Sequence, residues 1–314
     1  MIALSWVPWR LGRHLAWRLV WRLAQWGVAL VVVAMVLAMV AAPGAHGQIL
    51  DRTQDAYRVT ARQWLGPLSA IARRLFVLLA TLEIAVSGLW YALRRESPDE
   101  IAARFLLKFI MLAVVLLLIT SAGTWLPPIV NGFARAGEIG SGSAFTIGPS
   151  GIVDLGLNLA LHKIDLSGLP FSFGSIATAL FAVATVLVIL LSFLLVAVIV
   201  MLTWVEAYVA LAGGVLFLGL GAFRATAAFA ENYLGFLFYI GIRLFFLYLL
   251  LGLGTSLITS QIAALPPATT PEQMAEVLSI AVTFAAIIVI IPRTMASRIA
   301  GSSGFGLAAA LRSL

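Results

Sequence analysis

The chain has 314 residues, 62% of them hydrophobic and only 11% charged, with a formal net charge of +7 and no cysteine. So much apolar surface excludes a soluble globular protein, because no compact fold in water could bury it, and lipid must be the solvent for much of this chain. The missing cysteine excludes a disulfide framework, a thiolate metal site and a thiol nucleophile.

The positive charge does not read as a DNA patch. Of the 20 basic residues 18 are arginines scattered beside apolar segments, where arginine acts as a topology signal and headgroup contact. The three histidines, His14, His46 and His162, are too dispersed to assemble a metal cluster, and no cofactor is expected.

In chain order, the first apolar stretch is residues 26–42, preceded by Arg10, Arg13, Arg18 and Arg22. Ala45 and Gly47 follow at the spacing a signal peptidase reads, so residues 1–47 form a basic, Trp-rich tail with either a cleaved signal or an uncleaved anchor. Either way the tail stays in the cytoplasm and Gln48 emerges outside. Residues 48–75 are amphipathic, with Trp64, Leu65, Leu68, Ile71, Ala72 and Leu75 on one helical face. Gly66-Pro67 predicts a break there, leaving a short periplasmic surface helix and the lead-in to a span.

Residues 76–93 and 105–125 form a helical hairpin around the charged turn at 94–100. Residues 126–176 read as a long, weakly charged outside loop containing one helix. Spans at 177–204, 233–258 and 274–291 complete a membrane core at 177–292, followed by a cytoplasmic tail at 293–314. That tail carries Arg293, Arg298 and Arg312 without an acid, which places it inside. With Gln48 outside, the crossings between them must be odd in number, and five satisfy this. Residues 205–223 then form a Gly-rich hairpin or half-helix that does not complete a crossing. The expected fold is an all-α polytopic membrane protein with an N-terminal signal or anchor and five further spans.

Within this core the pattern Glu206-x-Tyr208-Val209-x-Leu211-Ala212-Gly213-Gly214-Val215-Leu216-x-Leu218-Gly219-x-Gly221-x-x-Arg224-x-Thr226 is followed by Ala230-x-x-Tyr233 and Gly241-x-Arg243-Leu244-Phe245. It resembles the TrbL family, polytopic inner-membrane subunits of conjugative type IV secretion systems. Three weaker segments agree in order: Trp64 with Leu75-Phe76 and Glu83, then residues 149–156, then Ile291-Pro292 through Gly301-Ser302-Ser303. One departure is Arg243, where the family pattern has Lys; the charge is kept.

The resemblance implies a non-enzymatic scaffold or channel that supports DNA or protein transfer and pilus assembly. It also implies a homo-oligomeric ring in the inner membrane, near the pilin and the minor pilus-tip component, driven indirectly by transfer ATPases. Direct contact with nucleic acid is left open.

Read by themselves, the residues leave several alternatives. Gly213, Gly214, Gly219 and Gly221 each cost roughly 1 kcal/mol in a helix interior, so they serve close packing, within one chain or between subunits, or a bend. Glu206 and Arg224 bracket the expected hairpin and are either a pair or two solvated boundary charges. Arg243 lies inside a span and needs a partner, with Glu231, Glu206 and Glu83 as candidates. Glu83 and Lys108 form a similar case across the first helical hairpin.

In the long loop Ile152, Leu155, Leu159 and His162 share a helical face. That face packs on the bundle or membrane surface, or contacts a periplasmic partner. No ATP-binding loop and no hydrolytic triad occurs. The rival to the secretion scaffold is a small-solute permease or channel lined by Glu206, Arg224 and Arg243.

Overall fold

The computed structural model describes residues 47–94, 98–142, 148–164, 173–264 and 270–300. The expected signal or anchor within residues 1–46, the side chain of His162 and the tail from residue 301 lie outside the described residues. Every regular element among the described residues is helical: α1 (Gly47–Arg94), α2 (Pro98–Thr120), α3 (Ala122–Gly140), α4 (Pro149–Lys163), α5 (Phe173–Gly213), α6 (Val215–Gly219), a 3-10 turn (Leu220–Ala222), α7 (Ala227–Ala264) and α8 (Pro271–Ala300). Among the described residues, five helical runs are long and apolar enough to cross a bilayer, within 49–93, 99–120, 177–222, 227–260 and 271–300.

Helix α1 differs from expectation. It runs without a break for 48 residues, with Pro67 inside it, so the amphipathic segment and the first span are one rod. A proline removes one helical hydrogen bond and favours a kink. Here the Ser69 hydroxyl donates to the Gly66 carbonyl at 2.8 Å beside it, and the apolar face continues across the step, with Ala61, Ala72, Phe76 and Ala80 all buried.

The segment expected to be a long loop, residues 126–176, is also more ordered than expected. Helix α3 follows α2 after the single residue Ser121, whose hydroxyl donates to the Leu117 carbonyl at 2.6 Å. The Pro127-Pro128 pair sits inside α3, and those prolines obscure its helical signal in the sequence. Its seam of Ala122, Leu126, Val130, Ala134 and Gly137 recurs at helical spacing and packs on α7. A Cβ on Gly137 would come within 2.3 Å of the Phe245 carbonyl oxygen, so the two backbones touch there.

The third difference is the position of the glycine-rich reversal. Residues 206–213 continue α5, a helix of 41 residues, instead of opening a hairpin at 205. Gly214 keeps right-handed helical angles (φ −71°, ψ −20°), and α6 with the 3-10 turn carries the chain on to Ala222. The reversal falls at residues 223–226, where Phe223 is extended and the Thr226 hydroxyl donates to the Leu220 carbonyl at 2.7 Å. Glu206 need not leave the helix, because it has a partner described below.

Side-chain contacts fix the directions of the helices. Gln54 meets Tyr208, Ala72 lies against Gly219, and Glu83 reaches Arg224. Thus α1 and the run from α5 into α6 lie side by side and point the same way. Helix α7 returns antiparallel, with Tyr248 beside Trp204 and Arg243 beside Glu206. Helix α8 packs on α5 and α7 through Phe284, which meets Phe193 and Gly254. It starts on a reciprocal cap, in which the Thr270 N–H donates to the Gln273 side-chain Oε1 and the Gln273 N–H to the Thr270 hydroxyl. Pro292 lies inside α8, so Arg293 and Arg298 extend the helix and do not begin a separate tail.

Candidate functional site: two ion pairs around a glycine-rich reversal

Glu83 stands on α1 and Lys108 on α2, where apolar helices offer no water to a charge. Their side chains pair at 2.6 Å and are almost fully buried, at 4% and 10% exposure. Ser87, one turn beyond Glu83, donates to the carboxylate at 3.3 Å and accepts from the Lys108 ammonium. The second carboxylate oxygen accepts the backbone N–H of Arg224 at 3.2 Å. One acid therefore ties α1, α2 and the reversal after α6 together. Buried charges persist only when paired and hydrogen-bonded in this way. Sequence spacing brought Glu83 and Lys108 together as candidates. It gave no sign of Ser87 or of the Arg224 amide, since a backbone donor leaves no signature in the sequence. The Arg224 side chain itself is exposed.

Of the three candidate partners for Arg243, the structure selects Glu206, at 2.7 Å. Of the two alternatives left open for Glu206 and Arg224, a mutual pair is not formed, because Glu206 pairs with Arg243. Glu206 sits on α5 at the level of the middle of α7, whereas Arg224 lies 18 residues further on, at the level of Glu83. Glu231 is half-buried near the start of α7. The Glu206 pair is less enclosed than the first, with Arg243 18% and Glu206 36% exposed, so part of its charge is screened. Losing Arg243 should cost about 1–2 kcal/mol, below the 3–5 typical of a fully buried pair. Arg243→Ala should lower protein abundance and raise protease sensitivity, and Arg243→Lys should restore most of both, since the charge remains. Wild-type abundance and protease resistance in Arg243→Ala would remove the structural role of the pair.

The four glycines differ in their surroundings. A Cβ on Gly213 would meet open space, and one on Gly221 would meet the Ala230 methyl at 3.2 Å. On Gly214 it would collide with the Tyr233 ring, and on Gly219 it would come within 2.6 Å of the Ala72 carbonyl oxygen of α1. Close packing within the chain therefore explains Gly214 and Gly219 and does not explain Gly213.

The expected partner-contact face on α4 is mostly spent inside the chain. Ile152 and Leu159 are buried at 0% and 2% exposure, and Leu155 is half-buried. Helix α4 packs against α5 and α1, with Gly156 against the Phe193 side chain. Asp51 of α1 meets the start of α4, accepting the Ser150 N–H at 3.4 Å. The weak charge of this segment reflects burial by its own chain, so Ile152 and Leu159 are not free to bind a partner.

A cavity of about 390 Å³ opens between α1, α3, α5 and α7. Trp204 and Tyr208 stack in its wall with centroids 5.5 Å apart, the Trp204 indole donates to the Tyr248 hydroxyl at 2.7 Å, and Gln54 donates to the Tyr208 hydroxyl at 3.4 Å. Glu138 of α3 lines the same space. Burial pushes its carboxyl above the ordinary carboxylate value, partly opposed by the Arg135 guanidinium. Sequence reasoning did not find this cavity, because its walls come from α1, α3, the start of α4, α5 and α7, segments brought together only by packing. No group of three or more metal-ligating side chains occurs among the described residues.

A family model described as TrbL/VirB6 plasmid conjugal transfer protein matches residues 80–293, which include both ion pairs and the glycine-rich reversal. A protein of Rhizobium radiobacter named Conjugal transfer protein TrbL is 28% identical over 284 residues, covering 88% of this chain and 69% of that protein. A second, from Sinorhizobium fredii and named Probable conjugal transfer protein TrbL, is 28% identical over 239 residues, covering 75% of this chain and 59% of that protein. With the matched region spanning well over half of its length, the chain belongs to the TrbL/VirB6 family of plasmid conjugal transfer proteins.

Proposed function

We propose that this chain is a scaffold or channel subunit of a conjugation-type secretion apparatus, held in the inner membrane and working as a homo-oligomeric ring. In this reading it supports DNA or protein transfer and pilus assembly beside the pilin and the minor pilus-tip component, with energy from separate ATPases. The observation that carries it is the way Glu83, Lys108, Glu206 and Arg243 are used. Each is neutralised by another side chain of this chain and so locks helices together, which suits a structural subunit. A solute pathway would instead leave such charges facing water.

Exposed Leu106, Leu107, Phe109, Ile110, Val114 and Leu117 on α2 suit contact with lipid. Family membership supports the conjugative setting. The periplasmic start and cytoplasmic end rest on the arginines after Pro292.

Extraction in mild detergent from cells expressing the transfer system should yield an assembly of several copies of this chain together with other transfer subunits. A small, self-contained unit that moves solutes when placed alone in liposomes would overturn the scaffold reading and favour a permease.

A further inference from the structure

The cavity between α1, α3, α5 and α7 is not used by the ion pairs or by the reversal, and its lining is graded. Arg58 and Arg62, one helical turn apart on α1, are exposed and line its mouth. Asp55 pairs with Arg58 at 3.0 Å from one side. Less exposed than the arginines, Leu65, Leu126 and Leu211 give the same cavity an apolar lining together with the Trp204–Tyr208 stack. Within that lining the Gln54 side-chain carbonyl oxygen is buried and has no hydrogen-bond partner among the described residues, while Glu138 adds a half-buried carboxyl. A buried acceptor left without a donor is costly, which marks a place where a ligand donor fits.

These features define the ligand's chemistry. Two guanidinium groups at a mouth recognise a phosphate. An orphan carbonyl and a carboxyl lining one cavity ask for a cationic N–H donor. An apolar and aromatic wall accepts hydrocarbon. The volume of about 390 Å³ falls within the usual range of small-ligand pockets, roughly 300–1,000 Å³.

The surroundings supply the source. Tyr57 and Trp64 are exposed on the same helix as the two arginines, and further along α1 Val77, Leu78 and Leu82 are exposed as well. Exposed aromatic rings interleaved with arginines ahead of an apolar stretch are typical of the headgroup level of a bilayer.

We propose that this cavity binds an aminophospholipid. Its phosphate lies on Arg58 and Arg62, its ammonium donates to the Gln54 carbonyl and Glu138, and one acyl chain lies along Leu65, Leu126 and Leu211. The site is independent of the secretion role, and no transfer assay is needed to test it.

The full chain, purified in a neutral detergent free of lipid, is incubated with phosphatidylethanolamine, phosphatidylcholine or phosphatidylglycerol, and bound lipid is counted by native mass spectrometry. Phosphatidylethanolamine should be retained at least tenfold more tightly than phosphatidylcholine, which has the same phosphate but no N–H donor. Arg62→Gln and Gln54→Leu should each weaken that retention several-fold, and Arg74→Gln, an exposed arginine outside the cavity, should not. Melting of each variant, followed by tryptophan fluorescence without lipid, distinguishes lost binding from a lost fold. Equal retention of the three lipids, a preference for phosphatidylglycerol, or unchanged binding in Arg62→Gln and Gln54→Leu variants that remain folded would overturn the assignment. A photo-crosslinker at Leu211 that captures a polypeptide and no lipid would overturn it in favour of a protein occupant.

Discussion

Lys108→Met should be the most damaging single substitution in the apolar part of this protein, lowering stability by about 3–5 kcal/mol. It leaves the Glu83 carboxylate, at 3% residue exposure, facing only the Ser87 hydroxyl and the Arg224 N–H. Neither neutral donor replaces a full positive charge in a medium of low dielectric constant. Because Glu83 also holds the residue at the reversal, its displacement should loosen the turn at 223–226 along with the α1–α2 hairpin. Abundance in membranes should fall and protease cleavage near the reversal should rise.

The double substitution Glu83→Gln with Lys108→Met should recover much of the loss. A neutral amide can still accept the Arg224 N–H, and no buried charge remains. The interaction energy of that cycle should be large, on the order of 2–3 kcal/mol. Lys108→Met at wild-type abundance and protease resistance would show that the pair does not hold these helices. A double variant no better than the single one would show that packing of the long side chains, and not charge, is what matters.

Gly219→Leu should separate α6 from α1 and abolish conjugative transfer while leaving membrane insertion intact. The new Cβ would stand 2.6 Å from the Ala72 carbonyl oxygen and 3.2 Å from its carbonyl carbon and Cα. These are backbone atoms and cannot rotate aside, so one helix has to shift. Overpacking of this kind costs typically 1–3 kcal/mol, and the remaining leucine atoms extend the clash. Substitution adds hydrophobicity, so insertion into the bilayer is not impaired.

Gly213 provides the internal control, since a Cβ there meets nothing within 4 Å. Gly213→Ala should be neutral or slightly stabilising, by up to about 1 kcal/mol, through the better helix propensity of alanine. Transfer at wild-type frequency in Gly219→Leu would show the close approach to be incidental. Loss of transfer in Gly213→Ala with normal abundance would show that Gly213 faces another subunit.

Composition and the lengths of the apolar runs determined the fold class and the number of helices able to cross a membrane, because a bilayer imposes one length and one backbone solution on any spanning segment. The motif from Glu206 to Phe245 was enough for the resemblance to the TrbL family, since it combines residue types that a plain membrane anchor does not need. Local rules failed where tertiary contacts outweighed them. Gly66-Pro67 predicted a break and residues 126–176 read as a loop with one helix, yet α1 runs through Pro67 and α3 through Pro127-Pro128 because their apolar faces have neighbours to pack on. The parity of crossings predicted a hairpin or half-helix over residues 205–223, yet α5 continues to Gly213.

What only the tertiary structure decided was which charge meets which, and what the glycines touch. Glu206 has Arg243 as its partner because α7 returns antiparallel beside α5, and Glu83 reaches the Arg224 amide because α1 runs parallel to α6. Both facts depend on the relative levels of helices distant in sequence. A pattern read along one helix gives the face on which a side chain lies, and the partner at its level is set by packing between helices.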